Sequence, residues 1–193
     1  MSHAADAQSA VAELVANVST VFEKARAMPK SVYTSEALAE LETRKIFARE
    51  WICVGRSSSL ENPGDYLTLS LAGEPVVVIR DQNGTLRAMS NVCLHRMSTM
   101  LEGRGNKRVI TCPYHGWSYN PDGCLRGAPA MKQNVDFSVS DYRLPHYRCE
   151  EWLGWVMVSL NKDARPVAEE FCDVEAMIAD YDLGTCLLYT SDA

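Results

Sequence analysis

The chain has 193 residues, enough for one good-sized domain with extensions, and its 47% hydrophobic and 23% charged residues are an ordinary globular mixture. A formal charge of −6 and a pI near 5.2 argue against a general nucleic-acid binder. No apolar run approaches the roughly 18 residues of a membrane span, and an N-terminus carrying Asp6 and Glu13, with no basic start before an apolar block, does not read as a signal peptide.

Ala7, Val11, Leu14, Val18 and Phe22 recur at helical spacing, predicting an amphipathic helix over residues 4–27 that Pro29 ends. A second helix is expected over residues 35–50, with Thr34 as its cap and Leu38, Leu41, Ile46 and Phe47 as its apolar contacts. Both read as packing elements against a domain or a neighbouring subunit.

From Trp51 the pattern changes to short strands: residues 51–56, 66–71, 76–80 and 86–89. Asn62-Pro-Gly-Asp65 is a turn and Asn83-Gly84 a tight-hairpin signal. Residues 109–111 read as a strand, Asn120-Pro-Asp-Gly123 turns the chain back, and residues 147–151 and 155–160 complete an antiparallel set around Gly154. The fold class is therefore mostly β, a small antiparallel sandwich or barrel. Residues 126–144 lack a regular pattern and read as a surface wrap. After a polar linker at 161–165, Pro166 opens a helix over residues 167–179.

The chemistry concentrates in residues 91–119, which hold Cys93-x-His95 and, sixteen residues on, Cys112-x-x-His115. Each pair is short enough for both side chains to reach one metal centre from a single loop, and the intervening residues suffice for a hairpin that joins the loops. Zinc would take such a set tetrahedrally, but zinc fingers pair C-x2–4-C with H-x3–5-H, a rhythm absent here. A Rieske-type [2Fe-2S] cluster takes both thiolates on one iron and both imidazoles on the other. Pro113 stiffens the second loop, Gly116 lets backbone pass close to the metal, and Trp117 is placed to wall off water. The other five cysteines (Cys53, Cys124, Cys149, Cys172, Cys186) have no regular spacing and read as free thiols of a reducing, cytoplasmic compartment.

This motif, with Cys112-Pro-Tyr-His-Gly-Trp117, resembles the Rieske domain of non-haem iron oxygenase α subunits of the aromatic ring-hydroxylating type. Trp51-Ile-Cys-Val-Gly-Arg56, Pro63-Gly-Asp-Tyr66, Gly73-Glu-Pro-Val-Val-Val-Ile-Arg80 and Asn91-Val-Cys93 extend the resemblance over residues 32–160, roughly. One departure is Met97, where the family pattern has glycine. The resemblance implies a β-sandwich with the ligand loops at one tip, and a [2Fe-2S] cluster on Cys93, His95, Cys112 and His115. It further implies a ferredoxin or flavin reductase as electron donor and a mononuclear Fe(II) in a following catalytic domain, held by two histidines and a carboxylate and used to activate O2. A homotrimer or α3β3 assembly is implied as well. The implied organisation is a helical extension at 1–50, the Rieske domain at 51–160, and a linker opening the catalytic domain at 161–185. The terminal Cys186-Leu-Leu-Tyr-Thr-Ser-Asp-Ala193 resembles translated sequencing-adapter read-through, so 186–193 is expected to be a non-native tail on a truncated frame. Only His146 follows the motif, so no second iron site is expected within the chain, which alone transfers electrons without hydroxylating.

Respiratory Rieske proteins carry an additional disulfide between their ligand loops. Ser98 and Tyr114 stand in those places here, and Trp117 stands where that type has a serine able to donate to the cluster. The midpoint is accordingly expected in the lower part of the range of about −150 to +300 mV. Arg96, Arg104, Lys107 and Arg108 form a basic stretch, a solvated face or a docking face for an acidic partner, with Arg96 the best candidate because it follows a ligand. Tyr114 and Trp117 read as packing around the ligands, His146 as an ordinary hydrogen-bonded histidine, and Asp65 and Asp122 as turn residues. The alternatives are a free-standing Rieske ferredoxin, disfavoured by the flanking helices, and a structural zinc module.

Overall fold

The computed structural model describes residues 3–131, 133–181 and 183–184, and the chain divides into two compact units, residues 1–49 and 50–193. The expected tail at 186–193 lies outside the described residues.

In the first unit α1 (His3–Val18) packs against α3 (Glu36–Glu42), burying Ala7 and Ala10 on one side and Ala37 and Leu38 on the other. The first helix is shorter than its periodicity predicts. Val18, Ser19, Thr20 and Val21 are β-branched or hydroxylic residues that suit helices poorly, and Asn17 turns its amide onto the carbonyl of Arg26 instead. Val18 and Phe22, which continue the helical period, are exposed. The second predicted helix begins where expected: a separate short helix, α2 (Lys30–Thr34), precedes it and stops at Ser35, whose hydroxyl caps α3 by accepting from the Leu38 N–H. Ser35, not Thr34, is therefore the cap. A single π-helical stretch, Thr43–Phe47, follows α3.

The second unit is built from two antiparallel sheets. The larger has the order β1-β10-β9-β4-β3-β2-β5 and the smaller β6-β7-β8. The strands are β1 (Ile52–Arg56), β2 (Asp65–Leu71), β3 (Glu74–Arg80), β4 (Leu86–Ser90), β5 (Arg104–Asn106), β6 (Ile110–Thr111), β7 (Ser118–Tyr119), β8 (Leu125–Gly127), β9 (His146–Trp152) and β10 (Trp155–Ser159). Strands β5, β7 and β8 were not visible to the alternation pattern. At two or three residues each, they are too short to show a period of two.

Strand β3 explains how one sheet carries a core on both faces. Val76 and Val78 join Leu60, Leu67, Val156 and Val158 on one side. Val77 and Ile79 point the other way, into a cluster with Met89, Cys93, Ile110, Cys112, Trp117, Tyr119 and Leu144. Two of the four motif residues are thus part of a hydrophobic core. Asp65 and Asp122 accept backbone N–H groups within their turns, from Asn62 and Cys124, as turn residues do.

The region after Pro166 forms two short helices, α4 (Val167–Glu170) and α5 (Cys172–Met177), broken at Phe171 where φ reaches −108°. Both are tied to the large sheet. The Trp51 indole donates to the carbonyl of Arg165, the Val167 N–H donates to Glu150, and the Trp152 indole donates to Glu175. No helix among the described residues is long and apolar enough to cross a membrane.

Candidate metal centre

Two loops carry the four motif residues, and the same local hydrogen-bond pattern shapes both. In loop 1 (residues 91–101) the Cys93 N–H donates to the Ser98 carbonyl at 2.9 Å, and the Met97 N–H returns to the Cys93 carbonyl at 3.0 Å. In loop 2 (residues 112–117) the Cys112 N–H donates to the Trp117 carbonyl at 2.8 Å, and the Gly116 N–H returns to Cys112 at 3.1 Å. Each turn needs a left-handed residue at its fifth position, Met97 (φ 55°) and Gly116 (φ 73°). This explains why the resembling family has glycine where Met97 stands.

The neck of loop 1 is closed by Asn91, which is 2% exposed. Its side-chain amide donates to the Leu101 carbonyl at 2.8 Å and accepts from the Leu101 N–H at 3.0 Å, imitating a backbone pair between the loop's two ends. Loop 2 has β6 and β7 for its neck.

The loops lie side by side. Cys93 and Cys112 are buried, His95 is half-buried and His115 is exposed. The two imidazole centroids are 4.8 Å apart and the rings nearly perpendicular. Trp117 lies flat against His95 at 4.9 Å, while Tyr114, itself 58% exposed, covers His115 at 3.7 Å. The structure therefore brings all four motif residues together, sulfurs inward and imidazoles outward.

Tyr119, fully buried, ties the loops in place of a disulfide. Its hydroxyl accepts the Leu94 N–H at 3.0 Å and lies 3.4 Å from Cys93 Sγ. A thiolate, the metal-binding form of Cys93, has no proton to give, so in that form the hydroxyl is the donor of the pair. Burial, and then the contact with Cys93, push the phenol above its ordinary range, so it keeps its proton. Neither Asn91 nor Tyr119 was singled out from the sequence as a site residue. Asn91 belongs to the resembling Asn-Val-Cys string, and Tyr119, in β7, stands two residues beyond Trp117 and shares its buried cluster.

The His115 imidazole titrates below the usual histidine range, first through partial loss of hydration and then through the neighbouring charges of His95 and Arg96. A neutral imidazole is the form that binds a metal. Arg96 thus acts on the site through space, whereas Arg104 belongs to edge strand β5, and Arg108 lines a separate cavity of about 430 Å3 with Asp81, Asn120 and Arg126. His146 is half-buried with Nδ1 at 2.8 Å from the Leu144 carbonyl.

Among the described residues no three His, Cys, Asp or Glu side chains converge as they would on a single ion. A two-iron cluster asks for something different, two protein ligands on each iron. Two buried sulfurs, one receiving a phenolic hydrogen bond, beside two adjacent imidazoles at the surface fit that requirement.

Residues 50–148 match the Rieske [2Fe-2S] domain. The carnitine monooxygenase oxygenase subunit of Escherichia coli (strain K12) is 36% identical over 159 residues, 82% of this chain and 42% of that protein. Among solved structures, a quaternary ammonium Rieske monooxygenase, described for carnitine oxidation by gut microbiota and inter-subunit electron transfer, superimposes with a TM-score of 0.72 at 37% identity. That match covers 79% of this chain and 42% of the other. Naphthalene 1,2-dioxygenase with bound indole superimposes with a TM-score of 0.70 at 29% identity, over 76% of this chain and 34% of that one. The chain spans under half the length of the curated relatives it matches. On the matched residues, the fold and the paired Cys/His loops, the chain belongs to the Rieske [2Fe-2S] domain family.

Proposed function

We propose that the chain is the electron-transfer portion of a non-haem iron oxygenase, with Cys93 and Cys112 on one iron and His95 and His115 on the other. The carrying observation is that two loops of matching turn geometry bury both sulfurs and set both imidazoles at the surface. When bound, the cluster supplies one-electron storage within about −150 to +300 mV.

The remaining work falls to the chain's own residues. Two thiolates and two neutral imidazoles leave less negative charge on the cluster than four thiolates would, which makes an added electron easier to accept. The Tyr119 hydroxyl favours the reduced state further by donating to Cys93 Sγ. Trp117 keeps water from His95, and the exposed edge of His115 is the route by which electrons enter and leave.

In this reading a ferredoxin or flavin reductase is the donor. The acceptor is a mononuclear iron in a catalytic domain that opens within residues 161–185, in a cytoplasmic homotrimer or α3β3 assembly. The relatives' association with monooxygenation, dioxygenation and inter-subunit electron transfer supports it. The test is EPR of the dithionite-reduced protein beside Cys93→Ser and His115→Ala. A rhombic signal with average g near ~1.9, lost in both variants, is the expected result. Stoichiometric zinc with no signal would overturn the reading in favour of a structural metal module.

A further inference from the structure

The ring contact on His95 does not end at Trp117. Trp117 is 4% exposed and its plane is within 4° of the His95 imidazole. Its other neighbours are Phe137 at 5.6 Å and Tyr142 at 6.1 Å, both edge-on, and these two stack on each other at 4.8 Å. They belong to the segment without periodicity that reads from sequence as a surface wrap. Yet that segment is anchored. The Tyr142 carbonyl accepts the Leu125 N–H of β8 at 2.9 Å, the Leu144 N–H donates to Gly123 at 3.0 Å, and Arg143 bridges Cys124. Pro129 of the same segment packs under the Gly116 turn, 3.6 Å from where a Cβ would stand.

His95 needs such support. A histidine χ2 is broad and weakly determined, and metal-bound imidazoles are commonly fixed by a hydrogen bond on the second ring nitrogen. Among the described residues neither His95 nitrogen has such a bond. What holds the ring is a flat stack on an indole that two further rings grip by their edges, the favoured aromatic geometries. His115 has the exposed Tyr114 on its face and meets His95 edge-on.

We propose that Trp117, Phe137 and Tyr142 form an aromatic brace that fixes the rotation of the His95 imidazole, and with it the direction its ligand nitrogen faces. The brace makes the segment around residues 129–142 a positioning element for the metal site. This inference rests on His95 being a ligand, and the experiment separates the two ideas.

Phe137→Leu and Tyr142→Leu touch no ligand and leave both loops intact. In the reduced full chain, each is expected to retain cluster content while shifting the EPR g-tensor and altering the nitrogen hyperfine coupling of one histidine only. Trp117→Leu is expected to disturb both more strongly, and Trp117→Phe to restore most of the wild-type spectrum. In the metal-free chain, NMR should find the His95 ring protons shifted upfield by Trp117, with the shift lost in Trp117→Leu and reduced in Phe137→Leu. Variants that only lower the melting temperature, with g-values and both nitrogen couplings unchanged, would overturn the brace. Wild-type metal-free protein without the upfield shift would also overturn it while leaving the ligand reading intact. A wild-type chain with no rhombic signal would remove the ligand reading and the brace with it.

Discussion

The two ligand loops are the same turn made twice with unequal materials. Each begins at a cysteine whose N–H reaches five residues on, and each has a left-handed fifth residue whose N–H returns to that cysteine. Loop 2 satisfies this shape cheaply, with glycine at the left-handed position and two strands at its neck. Loop 1 places Met97 there, and its neck has one isolated bridge, Val92 to Thr99, with the Met100 N–H on the Asn91 carbonyl, reinforced by the buried Asn91 side chain. The Cys112 side of the site is therefore held by paired strands and a glycine turn. On the Cys93 side a single backbone bridge is supplemented by the side chain of Asn91.

The largest test of that difference is Asn91→Ala. It removes two buried hydrogen bonds and leaves the Leu101 N–H and carbonyl unpaired, a cost of about 3 kcal/mol from net bonds near 1 kcal/mol each plus unmet desolvation. Chemical denaturation should show that loss, together with faster bleaching of the cluster absorbance. An unchanged unfolding midpoint would mean that loop 1 is held elsewhere.

Gly116→Ala should cost less, about 0.5–1 kcal/mol, because the left-handed penalty of about 1–2 kcal/mol for a residue with a Cβ is partly offset by the smaller entropy of the unfolded chain, while Pro129 at 3.6 Å leaves ordinary contact space. The same denaturation curve checks it, and a neutral result would show that the turn relaxes without glycine.

Tyr119→Phe separates the loops by redox rather than stability. Among the described residues the phenol serves the sulfur of Cys93 and the N–H of Leu94, both in loop 1. A hydrogen bond worth about 1 kcal/mol more to the reduced state corresponds to roughly 40 mV for one electron, since 59 mV is tenfold. Redox titration should therefore find the midpoint lower by about that amount. A midpoint unmoved or raised would show that the hydroxyl donates elsewhere.

What was legible in the sequence follows the same division. Cys93, His95, Cys112 and His115 declare themselves because liganding chemistry is confined to few residue types at short spacing. The longer strands of the large sheet announce themselves by short runs of β-branched and apolar residues, as in Val76 to Ile79. The neck and the brace did not. Asn91 acts through its amide on a residue ten positions away, and Phe137 and Tyr142 act from a segment whose order comes from tertiary anchoring rather than periodicity. The first helix erred in the opposite direction: Val18 and Phe22 keep the period but bury nothing.

The smallest expected effect bears most directly on the likeness of the loops. Met97 is 76% exposed, so its side chain contributes little packing, while its φ of 55° carries the penalty of a left-handed non-glycine residue. That penalty is about 1–2 kcal/mol, and glycine gives back roughly 0.5–1 kcal/mol through the greater freedom of the unfolded chain. Met97→Gly should thus stabilise the protein by about 0.5–1 kcal/mol, opposite in sign to Gly116→Ala at the matching position of loop 2. Opposite signs would confirm that both loops demand one backbone conformation and that only one has the residue suited to it. If Met97→Gly destabilises, the exposed methionine makes a contact in the intact protein that offsets its backbone strain, and the loops differ in role as well as in composition.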